Sequence, residues 1–170
     1  MPKDTALHKA AHKGEMDNVE SALEGGTDIN AEGAQNRCAI HRAIGGGHAR
    51  IVEFLIEKGA DIHKTDKGGK NPMHWCAVTG NVECSNLVIK GGGAADVNKT
   101  SKSGQTPLHM AAEGGKNEFV QHLVANGAEV DTKDGDGMTA FDLAKKMGHK
   151  DVMSTLQPGG GGGGGCCIMQ

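Results

Sequence analysis

The pair Leu7-His8 returns as Ile40-His41, Met73-His74 and Leu108-His109, and Phe141-Asp142 then takes its place, at steps of 33, 33, 35 and 33 residues. A fixed period of this length marks a stack of supersecondary units, each unable to bury its apolar face alone and each covered by the next. The composition suits such a stack. Phe54, Trp75, Phe119 and Phe141 are the only aromatic residues, so the interior must be assembled from Ala, Leu, Ile, Val and Met, small enough for short helices to approach closely.

One unit can be built from its residues. Thr106 stands where an N-cap hydroxyl meets a free backbone N–H, and Pro107 follows at the first helical position, where its missing donor costs little. Leu108, Ala111, Ala112 and Gly115 then share one helical face. A second helix begins near Lys116, carries Phe119, Val120, Leu123 and Val124 as its apolar stripe, and stops at Asn126-Gly127. Two antiparallel helices and a turn form the unit. The run Thr106-Pro107-Leu108-His109-Met110-Ala111-Ala112 resembles the first-helix signature of ankyrin repeats, and Gly59-Ala60-Asp61-Ile62 resembles that family's turn between repeats. The resemblance covers residues 4–157 and implies an all-α repeat solenoid, an ankyrin stack of helix-turn-helix units joined by β-hairpin-type loops.

The repeat domain is set at 1–157, with units at 4–35, 36–68, 69–103, 104–136 and 137–157. The second unit keeps its outer stripe (Ile51, Val52, Phe54, Leu55, Ile56), but Cys38-Ala39 replaces Thr-Pro and the run Gly45-Gly46-Gly47 is expected to loosen the end of its first helix. The third keeps Asn71-Pro72-Met73-His74 and inserts two residues within Gly91-Gly92-Gly93-Ala94-Ala95, expected to form a surface turn, where added length is cheap. The outer units depart from the pattern as caps should. Asn18 and Ser21 interrupt the stripe of Val19, Ala22 and Leu23, and Asp142 replaces histidine in the last.

The recurring His8, His41, His74 and His109 invite a metal site, but one histidine per stacked unit cannot surround an ion held at roughly 2 Å by each ligand. The ankyrin resemblance implies instead that they are structural and bond to backbone near the turn. Asp134-Gly135-Asp136-Gly137 hints at a calcium loop, yet Thr132 and Leu143 would fall where carboxylates are required, so a hairpin tip is expected. No phosphate-binding loop, nucleophile elbow or zinc-protease pair occurs. No catalytic residue, cofactor or metal is therefore expected. Cys76 and Cys84 fall on apolar stripes and should be inert, whereas Cys38, at a helix start, is the one body thiol for which a lowered pKa is conceivable. With three such cysteines and no signal-peptide run after Met1-Pro2, a reducing, cytoplasmic setting is expected. The formal net charge is -3, with Lys and Arg scattered along the chain, so no nucleic-acid partner is expected.

The residue after each repeat histidine, with its i+3 partner, points away from the buried stripe. This gives Lys9/His12, Arg42/Gly45, Trp75/Val78, Met110/Glu113 and Leu143/Lys146 along an open face. Trp, Arg and Met are enriched at binding surfaces. Arg42, Trp75, Val78, Met110 and Glu113, with Arg37, Lys67, Lys70, Lys102 and Gln105 at the hairpin tips, are the candidate partner-binding residues. The ankyrin resemblance implies an unidentified protein partner on this concave face. A competing expectation is that Trp75 merely packs between neighbouring first helices.

The chain finishes with Pro158, Gly159 to Gly165 and Cys166-Cys167-Ile168-Met169-Gln170. Residues 158–165 read as a flexible Pro/Gly linker and 166–170 as a lipidation tail. Cys167 begins a C-a-a-X box whose final Gln selects farnesyl, so a prenyl transferase is an expected partner. One such lipid binds membranes only marginally, and no Lys or Arg follows residue 150, which leaves palmitoylation of Cys166 as the second signal. About ten residues of spacer reach on the order of 17 Å. A non-catalytic, monomeric scaffold tethered to the cytosolic membrane leaflet is thus expected, the rival being a soluble inhibitor or assembly chaperone that occludes a partner's surface.

Overall fold

In the computed structural model, which describes residues 2–157, ten α-helices follow one another in pairs: α1 (Ala6–Lys13) and α2 (Met16–Glu24), α3 (Ala39–Gly46) and α4 (Ala49–Glu57), α5 (Pro72–Thr79) and α6 (Val82–Lys90), α7 (Pro107–Glu113) and α8 (Asn117–Ala125), α9 (Ala140–Met147) and α10 (Lys150–Leu156). The odd-numbered helices pack side by side as an inner layer, and α4, α6, α8 and α10 run as an outer layer. No strand occurs among the described residues. The architecture is the expected all-α solenoid.

Why the helices start where they do follows from the N-cap and the repeat histidine together. The Nδ1 atoms of His8, His41, His74 and His109 accept the backbone N–H of Thr5, Cys38, Asn71 and Thr106 at 3.1–3.3 Å. Their Nε2–H groups donate to the carbonyls of Ala31, Lys64, Gln105 and Met138 at 3.0–3.1 Å. Each imidazole thus caps its own helix and holds the hairpin loop that leads into the following one. The rings are buried, and burial pushes His41 and His74 down to about 4, which keeps them neutral with one donor and one acceptor. Asp142 retains only the capping half: its Oδ2 accepts the Thr139 N–H at 3.0 Å and hydroxyl at 2.9 Å.

Small residues let the layers close. Ala10, Ala11, Ala43, Cys76, Ala77, Ala111, Ala112 and Ala144 are all nearly or fully buried, with Leu7, Ile40, Met73 and Leu108 between them. The terminal outer helices bury less, Val19 alone in α2 and Val152 with Leu156 in α10, against Ile51, Val52 and Leu55 in α4.

One expectation changes. The glycine run does not interrupt α3, which continues to Gly46 before Gly47 caps it at φ 78°. A Cβ at Gly46 would collide with the His12 carbonyl oxygen and the His48 ring, so the absent side chain permits close approach of α1. The two-residue insertion falls, as expected, at the surface, where Gly91, Gly92, Ala94 and Ala95 are exposed. It lies within Gly91–Ala95, just before and into a 3-10 segment, Gly93–Asn98, that buries Asp96 and Val97, and Asp96 Oδ2 lies 2.7 Å from His63 Nδ1.

Asn71 caps α5 but leaves one of its own groups unpartnered. Its Oδ1 accepts the His74 N–H at 3.1 Å and also lies 2.6 Å from Nδ1, while its buried Nδ2 has no hydrogen-bond partner among the described residues. A threonine hydroxyl can donate to the ring, as Thr106 does toward His109 Nδ1 at 2.8 Å, whereas an amide oxygen only accepts. Asn71→Thr should therefore raise unfolding stability by about 1 kcal/mol, read as a higher urea midpoint. A lower midpoint would mean that the amide is the better partner.

Candidate partner-binding surface

Four hairpin tips project beside the inner helices, closed by Gly33 N–H to Arg37 O, Asp66 N–H to Lys70 O, Ser101 N–H to Gln105 O and Asp134 N–H to Met138 O, each at 2.8–2.9 Å. Single backbone bonds tie neighbouring tips: Lys67 N–H to Gln35 O at 2.8 Å, Lys102 N–H to Gly68 O at 3.0 Å and Gly135 N–H to Ser103 O at 2.9 Å. A buried aspartate shapes two of them. Asp66 Oδ1 accepts the Gly68 and Lys70 N–H groups at 2.8 and 3.0 Å, and Asp134 Oδ1 accepts those of Asp136 and Met138 at 3.0 and 2.9 Å. The Asp134 motif is accordingly a hairpin tip.

The first and second tips meet α5 through three side chains, Arg37, Asp66 and Trp75. Asp66 Oδ2 accepts the Trp75 indole N–H at 3.2 Å and lies 3.8 Å from Arg37 Nε, and the Arg37 guanidinium carbon stands 4.2 Å over the Trp75 ring. Trp75 is half-buried and packed against the core, and a Cβ added at Gly45 on the preceding inner helix would touch its ring. The indole therefore packs between first helices and also carries a cation on its face. Arg42 lies nearby in a 2.7 Å ion pair with Asp4. Burial opposes ionisation of Asp4, but the Ala34 N–H and the Arg42 guanidinium outweigh it and hold the carboxyl below its usual range.

Of the other candidates, Lys67 and Lys102 are exposed at the tips and Lys70 is half-buried behind them. Val78 is 42 % exposed on α5 and Glu113 is exposed at the end of α7. Gln105 spends its carbonyl on His74 and Ser101. Met110 does not line an open face. It and Leu143 are each only 6 % exposed, and Met110 belongs to the core cluster, because a flexible thioether fits the gap between closely spaced helices. Cys38 is likewise not activated: all three body thiols are buried, and burial pushes Cys38 and Cys84 up to about 11 and Cys76 well above its ordinary value. Cys166 and Cys167 lie outside the described residues, as does the linker 158–165.

Residues that no sequence pattern singled out complete the surface. Asp66 and Asp4 organise the two arginines. His48 and His149, at the starts of α4 and α10, reach back to the His12 and Glu113 carbonyls at 3.0 and 2.9 Å. Their signal was the repeated Gly-His pair at 47–48 and 148–149. The charges also separate by layer. The outer helices carry Asp17, Glu20, Glu24, Glu53, Glu57, Glu83, Glu118 and Asp151 against Arg50, Lys90 and Lys150, whereas the inner helices carry Lys9, Lys13, Arg42, Lys145 and Lys146 against Glu113 and Asp142.

The family model for ankyrin repeats (3 copies) matches residues 2–66 and 73–160. The chain belongs to the ankyrin repeat family. None of the curated proteins compared matches it. Ankyrin repeats serve as protein-protein interaction domains. Because Asp66 serves the ankyrin tip, the indole and Arg37 at once, Asp66→Ala should lower stability by roughly 2 kcal/mol. Trp75 is the sole tryptophan, so its emission should shift to the red. Unchanged emission and stability would remove Asp66 as the organiser of this surface.

Proposed function

We propose that the chain is a non-catalytic adaptor whose inner face and hairpin tips hold a protein partner, while a farnesyl group on Cys167 holds it at a cytosolic membrane surface. Palmitoylation of Cys166 is the second anchoring signal. The observation that carries the membrane half is the sequence Cys167-Ile168-Met169-Gln170 behind Pro158 and seven glycines. A thiol in that position, followed by aliphatic residues, is what a prenyl transferase accepts. Among the described residues no helix is long and apolar enough to cross a membrane, so attachment of this kind would rest on lipid.

The partner-binding half is supported by the ankyrin architecture and by Arg37, Trp75 and Val78 on one accessible face. Tethering raises the local concentration of that face for partners at the same membrane without adding any contact. The repeat body and the tail then have separable tasks, residues 1–157 recognising and 158–170 positioning.

Expression of the wild type, Cys166→Ser and Cys167→Ser forms in eukaryotic cells, followed by membrane fractionation and mass measurement of the C-terminal peptide, tests the tether. The wild type should be membrane-bound with a farnesyl mass on Cys167, Cys167→Ser should be released, and Cys166→Ser should bind more weakly, since one lipid is marginal. An unmodified peptide ending at Gln170, with all three forms in the soluble fraction, would overturn the tether and leave an untethered binder that acts by occluding its partner.

A further inference from the structure

We propose that the second and third hairpin tips, with the floor formed by α5, bind an acidic, extended segment of a partner protein that carries an apolar side chain. This rests on the adaptor reading and gives the partner a chemistry. Lys67, Lys70 and Lys102 come from chain positions up to 35 residues apart, and the cross-tip bonds Lys67 N–H to Gln35 O and Lys102 N–H to Gly68 O bring them side by side. None of the three enters an ion pair among the described residues, whereas Lys64 is taken by Glu32 at 3.4 Å and Arg42 by Asp4. The Arg37 guanidinium lies over the indole of Trp75 at 4.2 Å.

The carboxylate at the centre of this group does not cancel it. Asp66 is buried, accepts from two backbone N–H groups and the indole and pairs with Arg37 at 3.8 Å, so it leaves the charges of the three lysines uncompensated. At a protein surface such a field attracts carboxylates and speeds their encounter. Behind the lysines, Trp75 is half-buried and Val78 is 42 % exposed, an apolar floor of the kind that accepts one aliphatic side chain. The exposed acidic residues Glu113 and Asp136 bound the patch on its fourth-repeat side, and the outer helices are predominantly acidic. The acidic outer helices repel such a ligand. Because the floor lies on the inner helices beside projecting tips, an extended chain reaches both parts at once and a flat bilayer does not.

The test uses the full chain without lipid and a synthetic peptide of about twelve residues, rich in glutamate with one central leucine; a second peptide has every glutamate replaced by glutamine. Backbone amide shifts and Trp75 emission report binding. The glutamate peptide should shift residues of the second and third tips and α5. Lys67→Glu with Lys102→Glu, both at exposed positions, should weaken it by roughly tenfold or more, and salt near 0.5 M should do likewise. Equal binding of the glutamine peptide, shifts on the outer helices, or binding of phosphatidylserine vesicles in preference to the peptide would overturn the proposal. If a partner isolated from cells contacts the inner face through a neutral or basic segment, the adaptor reading stands and the acidic specificity falls.

Discussion

Everything in this stack hangs on a neutral imidazole that accepts with one nitrogen and donates with the other. Nδ1 closes the first turn of its own helix and Nε2–H holds the carbonyl of the loop entering the next unit, so each histidine fixes a local helix start and the spacing between units at once. Losing one would leave a buried N–H and a buried carbonyl without partners, which is far more costly than the net value of two ordinary hydrogen bonds. The fifth unit carries Asp142 in the histidine's place. Asp142 there keeps the capping bonds and lacks the second donor.

Neutrality ties this interaction to pH. An unfolded histidine titrates near 6.5, while burial pushes His41 and His74 down to about 4. Below 6.5 the unfolded chain takes up protons that the folded one refuses. The stability contributed is therefore complete above about pH 6.5 and is lost as the pH falls toward 4, by at most about 1.4 kcal/mol per pH unit for each such ring. The rigid spacing that these bonds maintain is also what lines up Lys67, Lys70 and Lys102 on neighbouring tips.

Much of the fold was legible because it depends on local chemistry repeated at a fixed period. The histidines, the Thr-Pro helix starts, the apolar stripes and the terminal Asp142 all announce themselves within a few residues. What the sequence hid depends on neighbours one unit away. Met110 has the spacing of an open-face residue, but close inner-helix packing covers it. Gly46 reads as a helix breaker, yet its missing Cβ makes room for the His12 carbonyl. Cys38 sits at a helix start, and burial outweighs any effect of the helix terminus. The charges looked scattered because a 33-residue period spreads one surface over distant chain positions; only stacking sorts acidic outer helices from the basic tips. Asp66 was unremarkable until the indole, the guanidinium and two backbone N–H groups converged on it.

The most direct measurement is the nitrogen NMR of the histidine side chains in the full chain, recorded from pH 7.5 down to pH 4. His8, His41, His74 and His109 should each appear at pH 7.5 as the neutral form protonated at Nε2, and His41 and His74 should remain so at pH 5, where free imidazole is charged. Protonation at Nδ1, or imidazolium signals for His41 and His74 in folded protein at pH 6, would contradict the bridge on which the stack depends.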